Sequence, residues 1–425
     1  MPYPKSPFRD DVDAGILFGS AGDEETTVNE IQKGLEILEW LCQTPEITSF
    51  RVNTLKADPG DVREYIRTHV QKVLGADSAL KIEQHPHCEE AIIIHHPKVA
   101  NPQLKINDNE VIVDTVCAAA VLRGAHIYAP GVMGMTSGSQ IGGHVSVYAD
   151  VAKKCKKGLQ RVYNHKKIFL GNGIIKMDRH QLFRDNHNKI PPTGVAVKMV
   201  ETISNCPPLL GDDFLPTGVA LLQNLPSIIC VHVLDPRPQD TILDMCASPG
   251  NKTTHIAALL KNQGKLIAID KTSPKIAQLK QRCETFGAQV EVIQADSTKL
   301  VEECRLSPKT FDKILLDAPC SALGKRPQLL NTTRVKVLRS YVPLQRKLFQ
   351  NAVQLLKDDG MLVYSTCTVT LAENEGIVAW ALKNFDLDLV EASPLLAGQG
   401  LQGTRLKEDD LKKLQRFGPA QSIDS

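Results

Sequence analysis

Residues 241–254, TILDMCASPGNKTT, begin as a β-like run, turn at Pro249-Gly250 and continue as the start of a helix. Outward from this stretch, KLIAID (265–270), VEVIQAD (290–296), KILLDAP (313–319) and MLVYSTC (361–367) read as four further strands. Helical stretches such as TTHIAALLKNQG (253–264) and LQRKLFQNAVQLLKDDG (344–360) separate them. Strands alternating with helices predict βαβ units, a parallel sheet and an α/β fold.

In an open parallel sheet, ligands bind beyond the carboxyl ends of the strands. After the first strand, Gly250 lacks the Cβ that would keep backbone N–H groups away from a ligand. The second strand ends in Asp270, placed to accept from ribose hydroxyls, and the third in Asp296, placed to accept from an adenine amino group. An acid per strand suits a nucleoside-type cofactor, whereas the G-x-G-x-x-G fingerprint of dinucleotide binders is absent. The fourth strand ends in Asp317-Ala318-Pro319-Cys320 and the fifth in Ser365-Thr366-Cys367. Two thiols and a carboxylate are therefore expected on the cofactor's edge of the sheet. The eleven cysteines follow no framework spacing and read as free thiols, buried or catalytic.

Upstream the texture differs, and 425 residues exceed one ordinary core. Residues 1–109 hold a helical stretch with Ile31, Leu35, Leu38 and Leu41 at one-face spacing. SFRVNTL (49–55) follows, a β-like run around Arg51 and Asn53. Across 110–200, the short runs VIVD, HIYAP, HVSVYAD and KKIFLG are separated by Gly-rich turns at the spacing of a small β-barrel. Residues 201–425 carry the α/β pattern. The net charge of +2 identifies no partner, but its distribution does. From Val151 to Ile190, eleven Lys or Arg, among them Lys153, Lys154, Lys156, Lys157, Arg184 and Lys189, face only Asp178 and Asp185. That local excess is an electrostatic footprint for phosphates. No apolar run approaches the ~18–20 residues that cross a bilayer. The start lacks the charged and apolar regions of a secretion signal, so a cytoplasmic location without a membrane partner is expected.

DMCASPGNKTT (244–254), LLDAPCSALG (315–324) and YVPLQRKLFQNAVQLLKDDGMLVYSTCTVTLAENEG (341–376) resemble the NOL/NOP/Sun-domain family of RNA cytosine-C5 methyltransferases. AAAVLRGAHIYAPGV (118–132), VSVYAD (145–150) and IFLGNG (168–173) are similar to a PUA domain, a compact RNA-binding barrel. The combination resembles the PUA-bearing branch of the family, which acts on transfer RNA. The resemblance implies a Rossmann-like S-adenosylmethionine-dependent methyltransferase domain with an inserted PUA barrel. It implies that Cys367 is the nucleophile, that Cys320 assists release of the methylated product, and that Asp317 contacts the cytosine beside Lys252. Cys246, Ala247, Pro249, Gly250, Lys252, Asp270, Lys275, Asp296 and Asp317 would surround the cofactor. Arg123, Gly124, Ala125 and Tyr128, with Lys153, Lys154, Lys156 and Lys157, would grip the CCA end of a tRNA whose target cytosine lies in the acceptor region. Messenger RNA is open as a further substrate, and a monomer is expected. The chemistry explains the thiols. A thiolate adding to carbon 6 of cytosine breaks the aromatic ring and makes carbon 5 nucleophilic toward a sulfonium methyl group. A nearby cation favours the thiolate, and a carboxyl group near ring nitrogen 3 accommodates the displaced electron density.

Three departures from the family pattern stand out. Asn251 replaces a second glycine before the lysine, and Ala322 replaces a glycine after Cys320. The chain reaches Ser425 without the family's final apolar strand, from which an unpaired sheet edge, lower stability and weak activity are expected. Alternatives are Cys320 as the nucleophile, and an RNA-binding protein with a catalytically impaired methyltransferase domain. His85, His87, Cys88, His95 and His96 match no standard zinc spacing, so no metal is expected.

Overall fold

The computed structural model describes residues 3–8, 14–18, 28–75, 80–97, 104–183, 192–204, 206–207, 214–303 and 305–419. Helices α1 (Ala14–Phe18) and α2 (Val28–Cys42) lead into β1 (Ile47–Val52), α3 (Pro59–Leu74), β2 (Ile82–His85) and β3 (Cys88–His95). In α2, Leu38 and Leu41 are buried as expected, but Leu35 is 49% exposed and Ile37 takes its place in the core. The Ile31 side chain lies outside the described residues. Helix α3 starts where Asp58 accepts hydrogen bonds from the backbone N–H groups of Gly60 and Asp61, ahead of Pro59 in the first turn.

A second unit follows: β4 (Glu110–Val113), α4 (Thr115–Leu122), β5 (Ile127–Tyr128), β6 (Val132–Met135), β7 (His144–Ala149), β8 (Ile168–Ile175), α5 (Arg179–Phe183) and β9 (Val195–Thr202). Its six strands form one sheet in the order β5-β9-β8-β7-β4-β6. Val111, Val113, Val145, Val147 and Leu170 pack with Val121 and Leu122 of α4 in its core. Of the HIYAP run, only Ile127 and Tyr128 are strand. Arg184, Asp185 and Lys189 lie outside the described residues.

The chain then returns through β10 (Ala220–Leu222) and α6 (Leu225–Leu234). Strand β10 pairs antiparallel with β1 and completes a separate four-stranded sheet, β10-β1-β3-β2. Residues 1–109 therefore build their own sheet, closed by a strand from beyond the second unit. Val62, Ile66 and Val70 of α3 cover one face of it. Leu225, Ile228 and Ile229 of α6 cover the other.

The remaining elements are β11 (Thr241–Asp244), α7 (Asn251–Leu259), β12 (Lys265–Asp270), α8 (Ser273–Phe286), β13 (Glu291–Gln294), β14 (Phe311–Asp317), α9 (Val335–Leu355), β15 (Leu356–Ser365), α10 (Glu375–Asn384) and α11 (Glu408–Lys413). The five expected strands form a parallel sheet in the order β13-β12-β11-β14-β15. Their apolar residues alternate with the two-residue period of a strand. Leu243, Ile314 and Leu316 face Leu348, Phe349 and Ala352 of α9. Ile242, Leu315 and Val363 face Val231 and Leu234 of α6 and Ile256 of α7. Both faces are covered, as a parallel sheet requires. Helix α9 ends at Leu355, whose successor Leu356 has extended backbone (ψ 138°), so LKDDG opens β15 instead of continuing the helix. Strands β13 and β15 are the margins of this sheet among the described residues. No described helix is long and apolar enough to cross a membrane.

Candidate active site

Strand order reverses between β11 and β14, the switch point beyond whose carboxyl strand ends ligands bind in open parallel sheets. The loop after β11 leaves the sheet there with backbone tied to neighbours: Met245 N–H donates to Leu315 O and Ala247 N–H to Ile269 O. Gly250 sits at φ +101°, where a Cβ would lie 2.9 Å from Leu279 Cδ1. Only glycine takes this position without strain. Asn251 is the first residue of α7 and does not share the left-handed conformation. Its Oδ1 is buried without a partner, as is Asp244 Oδ1. Burial pushes the Asp244 carboxyl up to about 7 against the opposing hydrogen bond from Thr253.

Asp270, at the end of β12, accepts from the N–H groups of Ser248 (3.1 Å) and Lys271 (2.7 Å) and pairs with Lys275 at 3.3 Å. Asp296 lies two residues beyond the end of β13. Lys271 Nζ at 2.8 Å and the Thr298 hydroxyl and N–H outweigh its burial and hold its carboxyl below the usual range. Cys246 and Ala247 are at least partly buried in the loop, and Pro249 is exposed.

Strands β14 and β15 run in register from Asp317 beside Ser365, and their continuations stay together. Ala318 N–H donates to Ser365 O, and Gly324 N–H to Cys367 O. Asp317 Oδ2 accepts from Lys252 Nζ at 2.7 Å and Oδ1 from the Ser365 hydroxyl at 2.8 Å. Burial alone would lower the Lys252 pKa, but the Asp317 charge wins and raises it above the ordinary value. The Cys320 and Cys367 sulfurs lie 3.4 Å apart, and Cys367 N–H points at Cys320 Sγ at 3.3 Å. Donation from Cys320 lowers the Cys367 thiol to about 7 against burial, with help from the Lys325 charge. The Cys320 thiol is raised, first by that same hydrogen bond and then by burial.

One carboxylate holds the two cysteine loops together. Glu373, fully buried, accepts from Ser321 N–H and Oγ, Gln345 Nε2 and the Thr370 hydroxyl. Sequence reasoning missed Glu373, Ser365 and Lys325. The signal for Lys325 was available, since it follows Cys320 by five residues in a glycine turn. A fourth missed residue, Arg51, has its guanidinium wholly buried. It donates to Gln223 Oε1 (2.8 Å), Asn251 O (3.2 Å) and Thr254 Oγ1 (2.9 Å), tying β1 to the start of the helix that carries Lys252.

Of the upstream histidines, His87 N–H donates to His85 Nδ1 at 3.2 Å, and the others turn to separate partners. His96 contacts Thr48 and Pro45 O, and His95 contacts Glu83. A different group converges: Glu90 Oε1 lies 2.6 Å from His232 Nε2 and 2.7 Å from His255 Nε2. These contacts have hydrogen-bond length, and they join β3, α6 and α7. Of the residues expected to meet RNA, Arg123 Nη1 instead donates to Arg326 O, and Lys157 Nζ to Pro130 O and Val132 O. Gly124 is wedged against Pro207 O, where a Cβ would come within 2.4 Å. Tyr128, Lys154 and Lys156 are exposed, and Lys153 Nζ reaches Thr332 Oγ1 at 3.2 Å.

Residues 231–419 match the family described as 16S rRNA methyltransferase RsmB/F. The tRNA (cytosine(72)-C(5))-methyltransferase NSUN6 of Homo sapiens is 41% identical over 436 residues, spanning 98% of this chain and 90% of that protein. The tRNA (cytosine(72)-C(5))-methyltransferase of Pyrococcus horikoshii is 32% identical over 391 residues, spanning 90% and 88%. The crystal structure of NSun6 from Pyrococcus horikoshii with SFG superposes with a TM-score of 0.75 at 28% identity, covering 98% of this chain and 95% of that one. With a Rossmann-like sheet, two cysteines in contact beyond the ends of β14 and β15 and relatives of this identity over nearly its whole length, the chain belongs to the NOL/NOP/Sun (NSUN) family of RNA (cytosine-5) methyltransferases.

Proposed function

We propose that this protein methylates carbon 5 of cytosine 72 in the acceptor stem of tRNA, with Cys367 as the covalent nucleophile. The observation that carries the reading is the pair of sulfurs 3.4 Å apart beside the Lys252–Asp317 ion pair. Cys367 is the exposed member and the one that ionises readily, so it adds to carbon 6. Asp317, its two oxygens oriented by Lys252 and Ser365, accepts from the cytosine amino group. The Lys252 charge stabilises electron density pushed into the ring. Cys320, in contact with the nucleophile, assists its departure. S-adenosylmethionine supplies the electrophilic methyl group when bound. The acceptors present fit it: Asp270 and Asp296 for ribose and adenine hydrogen-bond donors, with Asp244 Oδ1 and Asn251 Oδ1 buried and unpartnered at the two ends of the loop.

The six-stranded unit is, in this reading, a PUA-type barrel that grips the CCA end. Tyr128 and the exposed lysines 153, 154 and 156 would meet RNA directly. Arg123 would hold the loop after Cys320 through Arg326 O.

Methyl transfer to tRNA transcripts, mapped by bisulfite sequencing, tests the site. Incorporation is expected at cytosine 72 and lost when uridine replaces it. Trapping on RNA carrying 5-azacytidine tests the roles. Cys367→Ala should give no adduct and Cys320→Ala should accumulate one. The reverse pattern would make Cys320 the nucleophile, and failure of both variants and wild type to form adduct would favour the impaired-enzyme alternative.

A further inference from the structure

We propose that Cys320 and Cys367 are also a redox site, closing to a disulfide in the presence of hydrogen peroxide and thereby switching the methyltransferase off. Loss of activity rests on the assignment of Cys367 as nucleophile; formation of the bond does not.

Three observations carry the inference. The sulfurs are in contact at 3.4 Å, leaving a gap of about 1.4 Å to the bonded distance of about 2.0 Å. The loops that bear them leave neighbouring parallel strands and are fastened to each other by Gly324 N–H to Cys367 O and by Glu373. Cys367 is exposed, hence open to a small oxidant, whereas Cys42, Cys88, Cys206 and Cys230 are sealed in the interior. The ready ionisation of Cys367 adds to this, because peroxide reacts with thiolates.

The Cys367 thiolate attacks one peroxide oxygen; an S–O bond forms, the O–O bond breaks and hydroxide leaves. Sulfur is oxidised by two electrons to the sulfenic acid, and peroxide is reduced. Cys320, giving its proton to solvent, attacks that sulfur; the S–S bond forms, the S–O bond breaks and a second hydroxide leaves as water. Cys320 thus acts as a resolving thiol. Without it, a second peroxide molecule transfers an oxygen to the sulfenic sulfur, leaving as water and giving the sulfinic acid, which thiol reductants do not reverse.

The test treats the purified protein with hydrogen peroxide at several molar equivalents, enough to supply both oxidation steps. Intact mass should fall by two hydrogens, and non-reducing digestion should yield one peptide joining Cys320 to Cys367. Trapping of 5-azacytidine RNA should be abolished and then recovered in full with dithiothreitol. Cys320→Ser, which retains Cys367, should lose trapping to peroxide without recovery and carry sulfinic acid on Cys367. The proposal is overturned if the joined peptide is absent, or if wild type and Cys320→Ser recover alike. A joined peptide from a protein that traps no RNA before treatment would instead sink the nucleophile assignment and leave the redox site standing.

Discussion

Cys367 owes its ready ionisation to a neighbour that donates a hydrogen bond and to a cation that sequence reading overlooked. Because the thiolate is the reacting form, alkylation of Cys367 by iodoacetamide should accelerate as pH rises through about 7. Replacing Lys325 with alanine should move that inflection to higher pH; an unmoved profile would remove Lys325 from the account. Ala322 gives a second residue-level expectation. It adopts φ +56°, the left-handed region that costs a side-chain-bearing residue about 1–2 kcal/mol. Ala322→Gly should therefore raise stability by about 1 kcal/mol in denaturant unfolding, less the entropy of a looser unfolded chain. At this scale the sequence was legible in its acids and thiols, which sit at strand ends that periodicity places. The two departures from the family's glycines meet different backbones. Asn251 begins an ordinary helix, while Ala322 sits where the backbone prefers glycine, and no spacing rule reveals a φ angle.

Between elements, α6 and α7 are held to the N-terminal sheet by a buried polar seam. Glu90 of β3 meets His232 and His255, and Arg51 of β1 meets Asn251 and Thr254. Burial is the main cause that lowers the His255 pKa from 6.5 to about 4. The unfolded chain then binds a proton that the folded chain refuses, so the sign is fixed. The stabilising contribution is complete above pH 6.5 and is lost as pH falls from there toward 4. A falling melting temperature across that window is expected, with the fall reduced in His255→Gln if that variant folds. An unchanged slope in the variant would assign the acid sensitivity elsewhere. This seam was illegible in the sequence because each of its contacts joins positions more than 140 residues apart that share no motif. The parallel sheet was legible because its strands alternate with helices, and LKDDG was misread because helical composition does not mark where a backbone turns extended.

Across the whole molecule, the Lys-rich face belongs to the six-stranded unit, and the chemistry belongs to the parallel sheet. Lys153 and Arg123 reach the loop that follows Cys320. If this face carries the tRNA, exchanging Lys153, Lys154 and Lys156 for alanine should weaken binding with little regard to sequence. It should also reduce the slope of log affinity against log salt by about 1 per lysine that contacts phosphate. An unchanged slope would place the RNA elsewhere. The basic cluster was visible from composition. Which of its members are already spent on carbonyls of the same unit was not.

The pairing of β1 with β10 brings Phe50 against Leu222, strands that lie on either side of the whole six-stranded unit in the chain. During synthesis the first sheet cannot close until residue 222 has left the ribosome, whereas the strands between 110 and 202 find all their partners among themselves. The inserted unit can thus mature first, and the N-terminal segment must wait with the apolar face that α6 covers, Ala91 and Ile93 among it, left bare. Nascent chains halted before and after residue 222 should accordingly differ in protease resistance of the segment around Phe50, with the insert protected in both.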